Sequence, residues 1–464
     1  MELKTTLPYI KNNRIRMSLL FFSSFIIMLL SALPVRVLEE TGFDTVICFL
    51  MCFIYVLGCF KGYFNINKKK IIFLSLFIAL GAIELVTGLF YGILGYISVG
   101  VFCIVVPLLL IITIDEKKQI EDMVMAVSLS STCVFLVIFL VSVLFMPLGS
   151  GQYASFTGNP NSLSLFVVTG LCGTIYLSMK YINKIKFLFI FIQGVEWGFL
   201  IFTRSRTAIL TSIAFIMVMI LYSIFNKGKG RKRVKYIFIF LFIITSAIYL
   251  SYFSVTTLSY KIGQYDNVGL KQNIQQHFNV ILFDDQSDES TNEHDEFYNE
   301  EKDNLSFKDT IIAGANRSLK GIADDGSFSS GRIEIWKNFL NRIEPFGHDE
   351  GTMEIEGVKG YNAHNAYIQI AYSFGYIAGI IYIIISIYSA YLLAKENFPL
   401  LSRKNFPCEN AYILLTFMGY IVYNMLAATV APFSYLFVLL FAIIVVPSVC
   451  IEQKNEILSK KLKA

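Results

Sequence analysis

The chain has 464 residues, of which 55% are hydrophobic, 15% aromatic and only 16% charged, and its formal net charge is +5. This balance excludes an ordinary soluble globular protein, in which about a quarter of the residues are charged. We therefore predict an integral membrane protein, and we expect no nucleic-acid partner from so modest a positive charge. The positions of the charges say more than their sum, because they report topology.

Apolar runs of about 20 residues, the length that crosses a bilayer as a helix, recur along the chain. We assign twelve spans, at 17–33, 43–60, 71–90, 93–114, 123–146, 161–179, 187–203, 207–226, 236–253, 366–394, 409–428 and 431–450. Lysines and arginines concentrate in alternate loops, which predicts that both termini are cytoplasmic. The expected fold is all-α, with nine spans in 1–253, one large extracytoplasmic loop over 254–365, three spans in 366–450 and a cytoplasmic tail over 451–464.

The large loop contains a strongly acidic middle. Residues 284–303 hold ten acidic side chains against one lysine, which predicts a solvated, mobile segment. A divalent-cation site is the alternative interpretation, but the spacing of ligands typical of an EF-hand loop is absent from the sequence. No Walker A loop or glycine-rich dinucleotide turn occurs either. We therefore expect neither a metal nor another cofactor.

The last part of this loop carries clustered functional groups. Apolar side chains recur every three or four residues from Ile333 to Ile343, which predicts a short amphipathic helix over 332–344 that ends before Pro345. Arg332 would lie in its first turn, and His364 at the mouth of the next span. Such residues are often only a solvated charge and an interfacial polar group. Their common setting instead suggests a guanidinium and an imidazole held together near the bilayer surface.

Two arginines occupy a tight turn between the seventh and eighth spans. Arg204 and Arg206 lie in the sequence T-R-S-R-T-A-I-L, on the side where the positive-inside rule disfavours cations. One interpretation is structural, with Glu196 of the seventh span paired to an arginine one to two turns away. The other is that an arginine faces an anionic ligand, because a planar guanidinium can bind phosphate through two parallel hydrogen bonds.

A third polar feature lies at the start of the sixth span, in the sequence F-T-G-N-P-N-S. Asn159 suits the N-cap of a helix and Pro160 its first position, so local structure explains most of the pattern. Asn161 would then present its amide at the same outer surface as the arginines.

Together, four short motifs resemble those of the O-antigen polymerase and O-antigen ligase superfamily. They are G-N-P-N at the entry to a span, S-R-T at an outer turn, G-R-x-x-x-W in the large loop and H-N-x-Y at the start of the following span. Their order and common side are more specific than any one of them. The resemblance covers the whole topology and implies a multi-pass, all-helical glycosyltransferase of the bacterial cytoplasmic (inner) membrane, with its active site facing outward.

The resemblance also implies roles for particular residues. Arg206 of S-R-T and Arg332 of G-R would bind the pyrophosphate of an undecaprenyl-pyrophosphate-linked oligosaccharide, and His364 of H-N would lie beside the reacting sugar. Further substrate contacts are expected from Arg204, Asn365, Tyr367, Asn161 and Glu196. The arginines would stabilise the leaving group, while His364 would accept the proton of the attacking hydroxyl, with inversion at the anomeric carbon and without a metal.

The resemblance leaves the acceptor open. A polymerase of O-antigen or capsule repeat units, which we favour, receives a second lipid-linked unit, whereas a ligase receives lipid A core or another surface acceptor. A lipid-linked oligosaccharide flippase, which binds phosphate without catalysis, is a further alternative. We see neither the internal repeats nor the broken midplane helices typical of transporters. A chain-length regulator and a separate flippase are candidate partners of a polymerase.

Overall fold

A computed structural model describes most of the chain. The described residues are 2–4, 12–32, 43–60, 63–65, 67–114, 116–146, 148, 153–157, 159–181, 184–225, 230–259, 332–355, 358–401, 407–427 and 444–446. Helices in this part are α1 (Asn13–Ala32), α2 (Phe43–Cys59), α3 (Lys68–Tyr91), α4 (Leu94–Thr113), α5 (Lys117–Phe145), α6 (Pro160–Lys180), α7 (Ile185–Thr203), α8 (Arg206–Phe225), α9 (Gly230–Phe253), α10 (Arg332–Asn341), α11 (Ala366–Phe374), α12 (Tyr376–Leu401) and α13 (Cys408–Leu426). The prediction of an all-α membrane protein is confirmed.

Eight helical stretches within the described residues are long and apolar enough to cross a membrane, and Val46–Cys59 and Arg206–Val218 are shorter apolar helices. The count of twelve spans therefore stays a prediction. The acidic segment 284–303, the tail 451–464 and most of the last predicted span lie outside the described residues.

The tenth predicted span differs from the structure because two helices, α11 and α12, replace one. They meet at Gly375, whose φ of 92° suits glycine rather than residues with a side chain. A Cβ at Gly375 would collide with the carbonyl of Pro345, and one at Gly347, with φ of 77°, would collide with that of Ser373. Because the two glycines have no side chains, the segment around Pro345 and Gly347 packs directly against the backbone at the end of α11.

Helix α6 lies at the centre of the bundle, packed against α5, α7, α8 and α13. It runs antiparallel to α13, and polar contacts join the two helices at both ends. At one end the hydroxyl groups of Ser164 and Tyr423 share a hydrogen bond of 2.7 Å, and at the other Lys180 forms an ion pair of 2.6 Å with Glu409. Twenty-one residues rise about 30 Å, the thickness of a bilayer core.

The segment after α10 is fixed to the helices by specific contacts. The hydroxyl of Tyr91, at the end of α3, donates to the carbonyl of Gly347 at 2.9 Å. The His348 ring stacks on Tyr372 of α11 at 4.1 Å, and Phe339 of α10 packs edge-on against the same tyrosine. A small second core thus forms between α10 and α11, and it sets the position of α10 on the bundle.

Two short antiparallel strand pairs, which the sequence did not predict, accompany the helices. Glu2–Lys4 (β1) pairs with Tyr63–Asn65 (β2), and Met353–Ile355 (β3) pairs with Val358–Tyr361 (β4). The β3–β4 pair connects α10 to the segment that contains His364. Helix α10 itself ends at Asn341, three residues earlier than predicted, and turns follow at Arg342 and at Pro345.

Candidate active site

The candidate site lies at the end of the bundle where α6 and α8 begin. Asn159 caps α6 by accepting a hydrogen bond from the backbone of Asn161, and Pro160 is the first helical residue, so the predicted N-terminus of this helix is confirmed. Ser205 precedes Arg206 at the start of α8, and its hydroxyl donates to the side-chain oxygen of Asn161 at 2.8 Å. The two helices therefore present their N-terminal ends side by side.

Helix α11 begins at the same end. Asn365 caps it by accepting from the backbone N–H groups of Tyr367 and Ile368, and its amide donates to the carbonyl of Met425 near the end of α13, at 3.1 Å. Because α13 is bonded to the N-terminal part of α6 through Tyr423 and Ser164, three helices start around one region. The N-terminal ends of helices carry partial positive charge and favour anions.

Arg332 interacts electrostatically with both Arg206 and His364 at this end. Burial and the positive charge of Arg206 both lower the pKa of Arg332, the first residue of α10. Burial and the positive charge of Arg332 likewise lower the pKa of His364 from its ordinary 6.5. Three separate elements therefore contribute to one cluster. The guanidinium groups of Arg206 and Arg332 are partly buried and repel each other. A multiply charged anion bound between them would stabilise both.

His364 lies in a turn with a constrained backbone. Its φ of 46° is in the left-handed region, and its N–H donates to the side-chain oxygen of Asn362 at 3.0 Å. The fully buried residue before it, Ala363, accepts from the indole N–H of Trp336 at 2.8 Å and donates to the side chain of Gln369, also at 2.8 Å. Side chains from α10 and α11 therefore hold the turn from both sides.

Glu196 lies away from this cluster. It is completely buried, accepts a hydrogen bond from Thr174 of α6 and lies against Gly170, where a Cβ would crowd its carboxylate. Gly170 follows Asn161 by nine residues, which is roughly 13 Å along the helix axis. The carboxylate bonds α7 to α6 deep in the bundle, and the structure shows this contact where the sequence had suggested a pair with an arginine.

Arg204 and Tyr367 are the remaining two residues that were expected to contact the substrate. Arg204, with φ of 49°, occupies the left-handed C-cap of α7 and so directs the chain into α8. Tyr367 is partly buried one turn from His364, and its ring packs at 5.2 Å from that of Tyr382 on α12. Arg204 is thus a neighbour of the cluster along the chain, and Tyr367 borders it from α11.

Trp336 and Gln369 were missed as site residues in the sequence. Trp336 is the tryptophan of G-R-x-x-x-W, four residues after Arg332 and hence on the same helix face, which was the available signal. Gln369 lies one turn after Asn365 and gave no comparable signal, because its bond to Ala363 depends on the turn that the fold creates.

Comparison with known proteins adds one match. Residues 188–383 match the family model described as O-Antigen ligase (Wzy_C), a stretch that begins in α7, ends in α12 and includes Arg206, Arg332 and His364. No curated protein and no solved structure matches the chain. The matched stretch is less than half of the chain, and it supports membership of the superfamily of O-antigen polymerases and ligases.

Proposed function

We propose that the protein polymerises undecaprenyl-pyrophosphate-linked oligosaccharide repeat units into a surface polysaccharide at the outer face of the cytoplasmic membrane. The observation that carries the proposal is the convergence of Arg206, Arg332 and His364, from three elements, where α6, α8 and α11 begin. Alternation of basic loops along the chain predicts that this end faces outward. A membrane protein of a glycan-transferring superfamily with such a cluster fits a lipid-linked donor.

Charge on the leaving group is the main demand of this reaction. An acceptor hydroxyl attacks the anomeric carbon of the donor glycan, the bond from that carbon to the pyrophosphate oxygen breaks, and undecaprenyl pyrophosphate departs with the bonding electrons. Arg206 and Arg332 stabilise the developing charge through their guanidinium donors, as preorganised donors do in an oxyanion hole. The adjacent helix N-termini add partial positive charge.

His364 accepts the proton of the attacking hydroxyl. A general base must be unprotonated before the attack, and the lowered pKa of His364 keeps its imidazole neutral at neutral pH. Arg332 thus has two roles, since it binds the leaving group and keeps the base neutral. Attack from the side opposite the pyrophosphate inverts the anomeric configuration.

A ligase is the second candidate, because the matched family carries that description. The donor site would be the same, and only the acceptor would differ. A flippase is the third candidate, in which the arginines bind pyrophosphate and no bond is broken.

Reaction of the purified protein separates these functions. The detergent-solubilised protein would be incubated with radiolabelled lipid-linked repeat units, extracted from cells that lack this protein, and with no other acceptor. We expect a ladder of lipid-linked products that lengthen by one repeat at a time. Transfer that occurs only after lipid A core is added would identify a ligase, and donor binding without any longer product would identify a flippase.

A further inference from the structure

The hydrogen bond between Trp336 and Ala363 joins two parts of the proposed site. Trp336 is in the second turn of α10, and its indole N–H reaches the carbonyl immediately before His364 at 2.8 Å. Arg332 begins the same helix, one turn earlier. A single side chain therefore connects the helix that carries one arginine to the turn that carries the imidazole.

We propose that Trp336 is a positioning residue, which sets the distance between the guanidinium of Arg332 and the imidazole of His364 by bonding α10 to the carbonyl of Ala363. This inference deepens the proposed function and rests on it for the role of the two partners in glycan transfer.

The remaining contacts of the turn explain why this bond matters. Apart from the Trp336 bond, two side chains hold the turn. Gln369 of α11 accepts a hydrogen bond from the N–H of Ala363, and Asn362, within the turn, accepts one from the N–H of His364. These two bonds fix His364 to α11 and do not involve α10. Helix α10 is itself short, with 10 residues, and packs on α11 through Phe339 near its far end. Among these contacts, the Trp336 bond is the one that joins the Arg332 end of α10 to the His364 turn.

The bond has an electrostatic consequence that can be measured without turnover. Arg332 of α10 is the charged group that acts on His364, Arg206 of α8 lies beyond it, and Tyr367 is the titratable neighbour on α11. If α10 moves outward, the positive charge of Arg332 recedes and the pKa of His364 rises toward its ordinary value. As the pH is lowered, the rate of such a variant should therefore begin to fall at a higher pH than the rate of the wild-type protein.

The test removes the N–H and keeps an aromatic ring at position 336. Trp336→Phe removes the donor, and Trp197→Phe, at the other tryptophan of the chain, is the matched control. In protein labelled at its four histidines, NMR titration in detergent should show a higher pKa for His364 in Trp336→Phe than in the wild-type protein and in Trp197→Phe. We expect kcat to fall roughly tenfold or more, since small misplacements of catalytic groups are costly, with a smaller change in KM for the donor.

A second variant covers the case in which Trp336→Phe does not fold. Benzothienylalanine incorporated at tryptophan positions of a Trp197→Phe protein exchanges only the indole N–H of Trp336 for sulfur, at nearly constant shape. An unchanged His364 pKa and an unchanged kcat in this protein would overturn the positioning role. A His364→Ala protein that turns over normally would instead overturn the role of His364 as the base in the proposed function, and the NMR titration of the tryptophan variants would still report on the position of α10.

Discussion

Replacing Arg206 or Arg332 by lysine is expected to lower the rate of glycan transfer on the order of a hundredfold or more, nearly as far as replacement by alanine. Loss of one preorganised donor to a developing oxyanion has an effect of this size. Lysine keeps the positive charge but offers a compact ammonium in place of a planar fork of donors, so it cannot bind pyrophosphate in the same way. Steady-state turnover with the lipid-linked donor would measure the effect.

Arg342 provides the matched control for this prediction. It is an exposed arginine just after α10, with a long hydrogen bond of 3.4 Å to the carbonyl of Glu354. Arg342→Lys should leave turnover close to the wild-type value. If Arg206→Lys and Arg332→Lys behave like Arg342→Lys, then the two arginines have structural roles, and the pyrophosphate binds elsewhere.

Substitution of His364 by alanine is expected to lower kcat about a hundredfold to ten-thousandfold, the usual contribution of a general base. Donor binding should be largely retained, because the arginines remain in place. Added imidazole should restore part of the rate by entering the space left by the side chain. Measurements of turnover and of donor binding must use variants of equal folding stability.

The pH dependence gives an independent check on His364. Because burial and Arg332 lower its pKa, the wild-type rate should fall on acidification only below the ordinary histidine value of 6.5. This limb of the profile should be absent in His364→Ala. If the wild-type protein and His364→Ala show the same acidic limb, His364 is not the base, and a carboxylate such as Asp349 or Glu350 becomes the candidate.

Local sequence predicted the helix ends of the site better than its connections. The cap at Asn159 and Pro160 follows from residue preferences alone, and the amphipathic pattern after Gly331 located the helix that begins at Arg332. Both features depend on neighbours in the sequence. Charge alternation along the chain likewise predicts that the three site residues lie on one side of the membrane.

Long-range contacts account for what the sequence could not predict. Glu196 bonds to Thr174 rather than to an arginine, because the packing of α6 against α7 decides which hydroxyl lies opposite the carboxylate. The break at Gly375 depends on the approach of Pro345, and the Trp336 bond depends on the β3–β4 pair that turns the chain back toward α10. None of these pairings has a signature in local propensity or periodicity.

A structure of the protein with bound undecaprenyl pyrophosphate, determined by cryo-electron microscopy, tests the central claim most directly. We predict that the guanidinium groups of Arg206 and Arg332 both lie within hydrogen-bond distance of pyrophosphate oxygens, with His364 facing the space that the glycan would occupy. Pyrophosphate density at the opposite end of the bundle, near Lys180 and Glu409, or contact with neither arginine, would contradict it.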